Sequence, residues 1–229
     1  MMIPKTIHFC WFGGKKIPKS IKKNIDSWGR LCPAYEIIRW DESNFDYKID
    51  NYPYEAYDAK KWAFLSDYAR LWIVYHYGGI YLDTDVRLIK PLDELLDYKA
   101  YFGIEKTDNL CIDTGLGFGA EKGNAIVKEL LDQYEDIHFK LGDGKYDFTP
   151  CPDRNIEVFE RYGYHNRDEM VRGDEFVILP SEYLCPMEYA TRKIDVTENT
   201  ISIHYYQGSW EKKTTRIKSK IARLLHVVK

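Results

Sequence analysis

The apolar positions near the start of the chain predict a strand followed by a helix. Residues 6–12 (TIHFCWF) are mostly β-branched or aromatic and end at Gly13-Gly14, a pattern typical of a buried strand. Residues 20–28 carry apolar side chains at the spacing of one helical face, and we expect Gly29 and Pro33 to close that helix.

The same alternation of strand and helix continues to the middle of the chain. Residues 35–40 predict a second strand, and residues 59–77 predict the strongest helix, which Gly78-Gly79 ends. Residues 80–82 then form a short apolar run that leads into acidic residues. Strands that alternate with helices favour right-handed crossovers and a mostly parallel sheet. We therefore expect a single-domain α/β fold.

The second half of the chain is less regular. Residues 101–104, 176–179 and 201–206 predict strands, and residues 124–134 predict a helix. Residues 141–173 are polar and rich in Gly, Pro, Asp and Arg, which indicates loops and short helices on the surface.

Composition narrows the class of protein. The chain has 229 residues with a formal net charge of −3, so a main role in coating nucleic acid is excluded. The uncharged run over residues 71–82 is too short to span a bilayer. We find no pattern of a signal peptide, and the five cysteines include no CxxC pair. These features predict reduced thiols in a cytoplasmic protein.

Aromatic residues make up 15% of the chain, with 19 Tyr and 6 Trp. Aromatic rings at this density suit a protein that binds sugars or nucleotides, because both stack on ring faces. An aromatic-rich core is the simpler explanation of the same number, and composition by itself favours it.

The most informative stretch is residues 78–85 (GGIYLDTD), which places Asp83 and Asp85 at the end of a predicted strand. In extended chain these two side chains point to the same side, with Cα atoms about 6.6 Å apart. Open α/β sheets bind their ligands at such strand ends. Paired carboxylates there are suitable ligands for Mg²⁺ or Mn²⁺ carrying a diphosphate. A solvated turn is the alternative.

Three further features accompany this pair. Asp67 and Arg70 share one face of an almost wholly apolar helix, so we expect them to point inwards, although a surface ion pair has the same spacing. Trp11 ends the first strand next to two glycines, where an indole can stack a base or pack in the core. His204 ends the late strand and can complete a Mn²⁺ shell, or serve a structural role.

Three segments resemble the family 32 glycosyltransferases. They are IPKTIHFCWFGG, AFLSDYARLWIVYHYGGIYLDTDV and IHYYQGSW, and together they frame nearly the whole chain. This family includes yeast mannosyltransferase-like and capsular-polysaccharide enzymes and is related to the glucosylating domain of large clostridial toxins. The resemblance implies a GT-A fold with a Rossmann-like central sheet, a nucleotide-sugar donor, Mn²⁺ or Mg²⁺, and retention at the anomeric carbon.

The resemblance also implies roles for particular residues. Asp83, Asp85 and His204 would bind the metal, and Asp67 and Arg70 would hold hydroxyls of the donor sugar. Donor binding would involve these side chains: Trp11 stacked on the base, Phe12, Tyr81, Asp83 on the ribose, and Ser209 and Trp210 over the diphosphate. The chain departs from the family at Gly123-Asn124-Ala125, where Gly-His-Pro is common.

We therefore expect a metal-dependent, retaining hexosyltransferase that builds a cell-surface polysaccharide on a saccharide or lipid-linked acceptor. UDP-sugars are favoured over GDP-mannose as donors. A haloacid-dehalogenase-like phosphatase also carries a strand-end DxD, but it needs a small residue where Arg87 stands. A non-catalytic sugar-binding module is the other alternative, and it gives no reason to combine Asp83, Asp85 and His204.

The sequence divides into a catalytic domain over residues 1–210 and a basic tail over residues 211–229. The tail carries seven Lys and Arg against one Glu, and its apolar residues recur at helical spacing. We expect a basic amphipathic helix that either docks on the domain or makes peripheral contact with the anionic inner face of the membrane.

Removal of residues 214–229 tests this contact. We expect the full-length protein to sediment with anionic vesicles at low salt and the truncated protein to stay in the supernatant, because each basic residue near such a surface contributes about 1 kcal/mol. Equal sedimentation of both forms would reject a membrane role for the tail.

Overall fold

The computed structural model describes residues 2–206. The helices are α1 (Lys19–Leu31), α2 (Asn51–Asp58), α3 (Trp62–Tyr77), α4 (Ala125–Asp132), α5 (Cys151–Glu160) and α6 (Ser181–Leu184), with short 3-10 helices at Asp93–Leu95 and Gly142–Gly144. The strands are β1 (Thr6–Cys10), β2 (Glu36–Trp40), β3 (Gly79–Tyr81), β4 (Val86–Leu88), β5 (Ala100–Gly103), β6 (Phe118–Ala120), β7 (Val171–Arg172), β8 (Val177–Leu179) and β9 (Ser202–His204). Ser209, Trp210 and the helix expected over residues 211–229 lie outside the described residues.

One seven-stranded sheet forms the centre of the fold, with the order β2-β1-β3-β6-β5-β8-β7. β1 is parallel to β2 and β3, β5 is parallel to β8, and β6 and β7 run antiparallel to their neighbours. Five of the seven strands therefore share one direction, which confirms the mostly parallel sheet. β4 and β9 form a separate antiparallel pair.

Both faces of the sheet are covered, because alternate residues of a strand point to opposite sides. Tyr81 of β3 lies in an apolar cluster with α3, α4 and α5. Its neighbour Ile80 lies in a second cluster with α1 and β4. The flanking helices confirm the α/β prediction, and none of the helices within residues 2–206 has the length and apolar character needed to cross a bilayer.

The first helix is longer than the sequence predicts. Gly29 lies inside α1, which continues to Leu31 before Cys32 and Pro33. The prediction that Gly29 helps to close this helix is wrong. A glycine costs a helix only about 1 kcal/mol, and the neighbouring Trp28 is fully buried with its ring 5.6 Å from that of Phe9.

The helix predicted over residues 59–77 begins later than expected, at Trp62, and Gly78 ends it as expected. Lys60 has a φ of 56°, in the left-handed region, and this conformation separates α3 from the preceding helix α2. α2, whose N-cap is Asp50, was not predicted from the sequence.

Asn124 explains the departure from the family pattern. Its Oδ1 accepts hydrogen bonds from the backbone N–H groups of Ile126 at 3.1 Å and Val127 at 3.3 Å, so it caps α4. Its Nδ2 also donates to the carbonyl of Glu175 at 3.2 Å. The side chain therefore has a structural role in starting α4.

We expect Asn124→Ala to lower the free energy of unfolding by about 1–2 kcal/mol, because the change removes a helix cap and a buried hydrogen bond. Urea denaturation measures this loss. Asn51→Ala is a matched control at an exposed helix start, and it should change stability much less. Equal effects of the two changes would contradict the capping role.

Candidate active site

Residues 82–86 form a tight turn between β3 and β4. The backbone N–H of Val86 donates to the carbonyl of Asp83 at 3.0 Å, and the N–H of Leu82 donates to the carbonyl of His8 on β1 at 3.0 Å. The expectation that Asp83 and Asp85 stand on one side of an extended strand is therefore wrong in its geometry. The turn brings the two carboxylates together instead, at the sheet edge where β1 and β3 end.

His204 joins the two carboxylates from the far end of the described chain. Val86 of β4 pairs with His204 of β9, which holds the imidazole beside the turn. Its Nε2 lies 3.1 Å from Asp85 Oδ1. One ligand atom from each of Asp83, Asp85 and His204 lies within 4.8 Å of the others. The structure thus brings together all three residues expected to bind a metal.

Arg70 lies at the centre of the site, with only 4% of its side chain exposed. Its guanidinium is 2.9 Å from Asp67, 3.2 Å from Asp83 and 3.7 Å from Asp113. The expectation that Asp67 and Arg70 point inwards is confirmed, and a surface ion pair is excluded. One arginine therefore connects α3 to the turn over residues 82–86 and to the segment that precedes β6.

Two neighbours fix the position of Asp83. The hydroxyl of Tyr81 donates to Asp83 Oδ1 at 2.9 Å. Gly115 lies so close that a Cβ on it would be 2.5 Å from Asp83 Oδ2. Its N–H donates to Asp113 Oδ1 at 2.7 Å. A larger residue at Gly115 would displace the carboxylate.

Glu105 and Cys151 of this site were not predicted from the sequence. Glu105 and Asp113 form a second carboxylate group with His204, again with ligand atoms within 4.8 Å. Cys151 donates to Asp113 Oδ1 at 3.3 Å. Glu105 follows the predicted strand 101–104, so its strand-end position was an available signal. Cys151 lies in a polar segment that offered none.

Burial changes the protonation of these groups. Burial, with contributions from Asp83 and Asp113, raises the pKa of Asp67 to about 7 although Arg70 opposes the shift. Burial and the nearby Asp113 likewise raise the pKa of Glu105 to about 7. Burial disfavours the charged form of His204, yet Asp85 raises its pKa well above the ordinary value. These shifts all reduce an excess of negative charge.

The excess of negative charge among the described residues is typical of a site that binds a cation. Within residues 2–206, five carboxylates (Asp67, Asp83, Asp85, Glu105 and Asp113) lie around the cationic side chains of Arg70 and His204. Two carboxylates with one imidazole form a donor set suitable for Mn²⁺ or Mg²⁺. The residues present therefore fit a divalent cation between Asp83, Asp85 and His204.

The residues expected to bind the nucleotide have different environments. Trp11 follows β1 and is half-buried, with its Nε1 donating to the carbonyl of Lys15 at 2.6 Å. Phe12 is buried, and its ring centroid is 5.9 Å from that of Phe45. Phe12 therefore contributes to the core in this structure, while Trp11 keeps part of its surface at the sheet edge.

Part of the sequence matches a known family. Residues 18–102 match the glycosyltransferase sugar-binding region containing the DXD motif. Inositol phosphoceramide mannosyltransferase 3 of Schizosaccharomyces pombe is 39% identical over 133 residues, which cover 56% of this chain and 36% of the relative. The chain thus spans about a third of the length of that curated relative. These matches confirm the resemblance to family 32 glycosyltransferases.

Solved structures identify the fold. The glycosyltransferase PaToxG has a TM-score of 0.54 at 21% identity, covering 70% of this chain and 69% of that one. A glycosyltransferase involved in glycosylation of the major capsid of PBCV-1 has a TM-score of 0.50 at 14% identity, covering 96% of this chain and 99% of that one. The fold is GT-A, as the resemblance implied.

We expect Arg70→Met to lower the free energy of unfolding by about 3–5 kcal/mol, because it leaves buried carboxylates without their countercharge. Arg70→Lys should cost less, since it keeps the charge but loses the forked geometry. Urea denaturation of both variants measures these losses.

Arg154→Met provides the control, because within residues 2–206 that partly buried arginine forms an ion pair with one carboxylate, that of Asp147. Its loss should be clearly smaller. If Arg70→Met were as stable as the unmodified protein, Arg70 would not be the charge that holds the site together.

Proposed function

We propose that this protein is a metal-dependent, retaining glycosyltransferase. It would transfer a hexose from a nucleotide-diphosphate sugar to a hydroxyl group of a saccharide or lipid acceptor. The observation that carries the proposal is the convergence of Asp83, Asp85 and His204 on the GT-A fold, within a region that matches a DXD family.

The charges of the site support metal-dependent catalysis. A divalent cation, when bound, would stabilise negative charge on the departing nucleoside diphosphate. Asp83 and Asp85 would hold it with His204, and Tyr81 keeps Asp83 in place through its hydroxyl. Asp67 and Arg70 would hold hydroxyls of the donor sugar, and their mutual contact at 2.9 Å orients both side chains.

Retention requires no additional strong base. If the acceptor attacks the face that the diphosphate leaves, an oxygen of the departing diphosphate can take the proton of the acceptor hydroxyl. Asp113 and Glu105 lie beside the metal-binding residues and would contribute hydrogen bonds and charge. We assign neither as a general base. Trp11 would stack the nucleobase from the adjacent strand end.

The mannosyltransferase relative supports a choice of donor sugar and acceptor. A mannosyltransferase that acts on inositol phosphoceramide favours mannose as the hexose and a phosphate-bearing lipid as the acceptor. GDP-mannose is then a stronger candidate than the sequence alone indicated, beside the UDP-sugars. We propose a cytoplasmic enzyme at the inner membrane face, acting in the synthesis of cell-surface glycans. The family match argues against the phosphatase.

A thermal-shift comparison of nucleotide sugars tests the proposal. We expect one of UDP-glucose, UDP-galactose, UDP-N-acetylglucosamine or GDP-mannose to stabilise the protein with Mn²⁺, by about 2.7 kcal/mol when its concentration is 100 times the Kd. Asp85→Asn should abolish this metal-dependent stabilisation and the transfer of sugar. The Asn Oδ1 can still accept from His204, so the variant should fold.

Asp132→Asn is the matched control, because Asp132 is exposed and pairs with Lys128 on the surface. It should bind donor normally. Donor binding by Asp85→Asn that equals that of the control, or that persists in EDTA, would refute metal binding at Asp85.

A further inference from the structure

A basic cavity lies next to the candidate active site. α1, β4 and the segment after β9 line an open surface concavity of about 450 Å³. The lining residues are Lys19, Ser20, Lys23, Asn24, Arg87 and Tyr205. We call this cavity the basic groove.

The three cations of the groove form no ion pair with the described part of the chain. Lys19, Lys23 and Arg87 are exposed, and none of them forms an ion pair or hydrogen bond with another residue between positions 2 and 206. By contrast, Lys22 on the same helix is 2.7 Å from Asp26. None of the described residues that line the groove is acidic, and the first turn of α1 has no acidic residue. The groove therefore concentrates uncompensated positive charge in one concave place.

The basic groove and the carboxylates of the candidate active site lie on opposite sides of the same turn, residues 82–86. Asn24 Nδ2 donates to the carbonyl of Thr84 at 3.0 Å, and the backbone N–H of Tyr205 donates to the carbonyl of Asp85 at 3.1 Å. Arg87 follows Asp85 by two residues. A ligand in the groove would thus be held next to the turn that positions the proposed metal.

The chemistry of the lining indicates the ligand. Two ammonium groups and a guanidinium match the oxygens of a phosphate, and the guanidinium can bind two of them at once. The neutral groups of Ser20, Asn24 and Tyr205 can bind hydroxyls beside it. A volume of about 450 Å³ exceeds what a lone phosphate fills and lies in the range of small-molecule sites.

We propose that the basic groove binds a phosphate group of the acceptor substrate. This inference rests on the proposed glycosyltransferase function, in which the donor diphosphate is met by the cation at Asp83, Asp85 and His204. The carboxylates there would repel a second phosphate, whereas the described lining of the groove contains no anion. The acceptor phosphate would belong to a lipid headgroup or to a free phosphorylated sugar or alcohol.

Charge removal within one region of the protein tests the inference. The groove variant combines Lys23→Gln on α1 with Arg87→Gln on β4. The control combines Lys22→Gln with Arg30→Gln, both on α1, and removes the same amount of charge outside the groove. Both are made in the full-length chain. All four side chains are exposed, so both variants should fold, and thermal unfolding verifies this.

Three probes separate the possible ligands. Glycerol 1-phosphate, with glycerol as its neutral partner, is titrated by NMR chemical shift. Vesicles of phosphatidylcholine, with and without phosphatidylglycerol, are tested by sedimentation. UDP and GDP are titrated with Mn²⁺.

We expect the groove variant to bind glycerol 1-phosphate at least roughly tenfold more weakly, since the loss of a charged hydrogen bond lowers the affinity by about one power of ten. The control should bind it normally, and nucleotide binding should be the same in all three proteins.

The outcomes distinguish the sources. Loss of glycerol 1-phosphate together with anionic vesicles supports a lipid headgroup, and loss of glycerol 1-phosphate alone supports a free phosphorylated acceptor. The inference is overturned if the unmodified protein does not bind glycerol 1-phosphate, if both variants lose binding equally, or if the groove variant loses nucleotide binding. A protein that binds glycerol 1-phosphate in the groove but no nucleotide with Mn²⁺ would instead refute the proposed function.

Discussion

The buried guanidinium of Arg70 is the interaction on which the site depends. It contacts Asp67 of its own helix, Asp83 of the turn over residues 82–86 and Asp113 of the segment before β6. An unpaired charge at this depth would cost several kcal/mol, so Arg70 needs these carboxylates. The guanidinium in turn opposes the rise in the pKa of Asp67 that burial and the neighbouring carboxylates cause. The geometry of the candidate metal site therefore follows from how one cation is compensated between three parts of the chain.

The two sides of the turn over residues 82–86 differ in charge. On one side, the side chains of Asp83 and Asp85 lie with His204, where carboxylates outnumber cations among the described residues and fit a divalent metal. Next to the backbone carbonyls of Thr84 and Asp85, the groove presents Lys19, Lys23 and Arg87, and its described lining contains no anion. The two sides of the turn therefore favour ligands of opposite charge. The proposed transfer from a donor diphosphate to a phosphate-bearing acceptor would use both sides.

Much of the site could be predicted because it lies in a short, informative segment. Asp67 and Arg70 are three residues apart on an apolar helix, and Asp83 and Asp85 directly follow the strand that this helix leads into. Local periodicity was sufficient to bring these four together. The geometry of the turn was not predictable, because the Asp83–Val86 hydrogen bond replaces an extended backbone and nothing in the pattern required it.

The sequence by itself determined the alternation of strands and helices, the inward direction of Asp67 and Arg70, and the acidic strand end that matches a DXD family. The contact between His204 and Asp85, 119 positions apart, depends on the pairing of β9 with β4, which no local pattern in the sequence predicts. Tertiary structure also decided that Glu105, Asp113 and Cys151 join the site, and that Lys23 and Arg87 face one groove. Local patterns reflect which face of an element is buried, whereas contacts between distant segments depend on how those faces pack against one another.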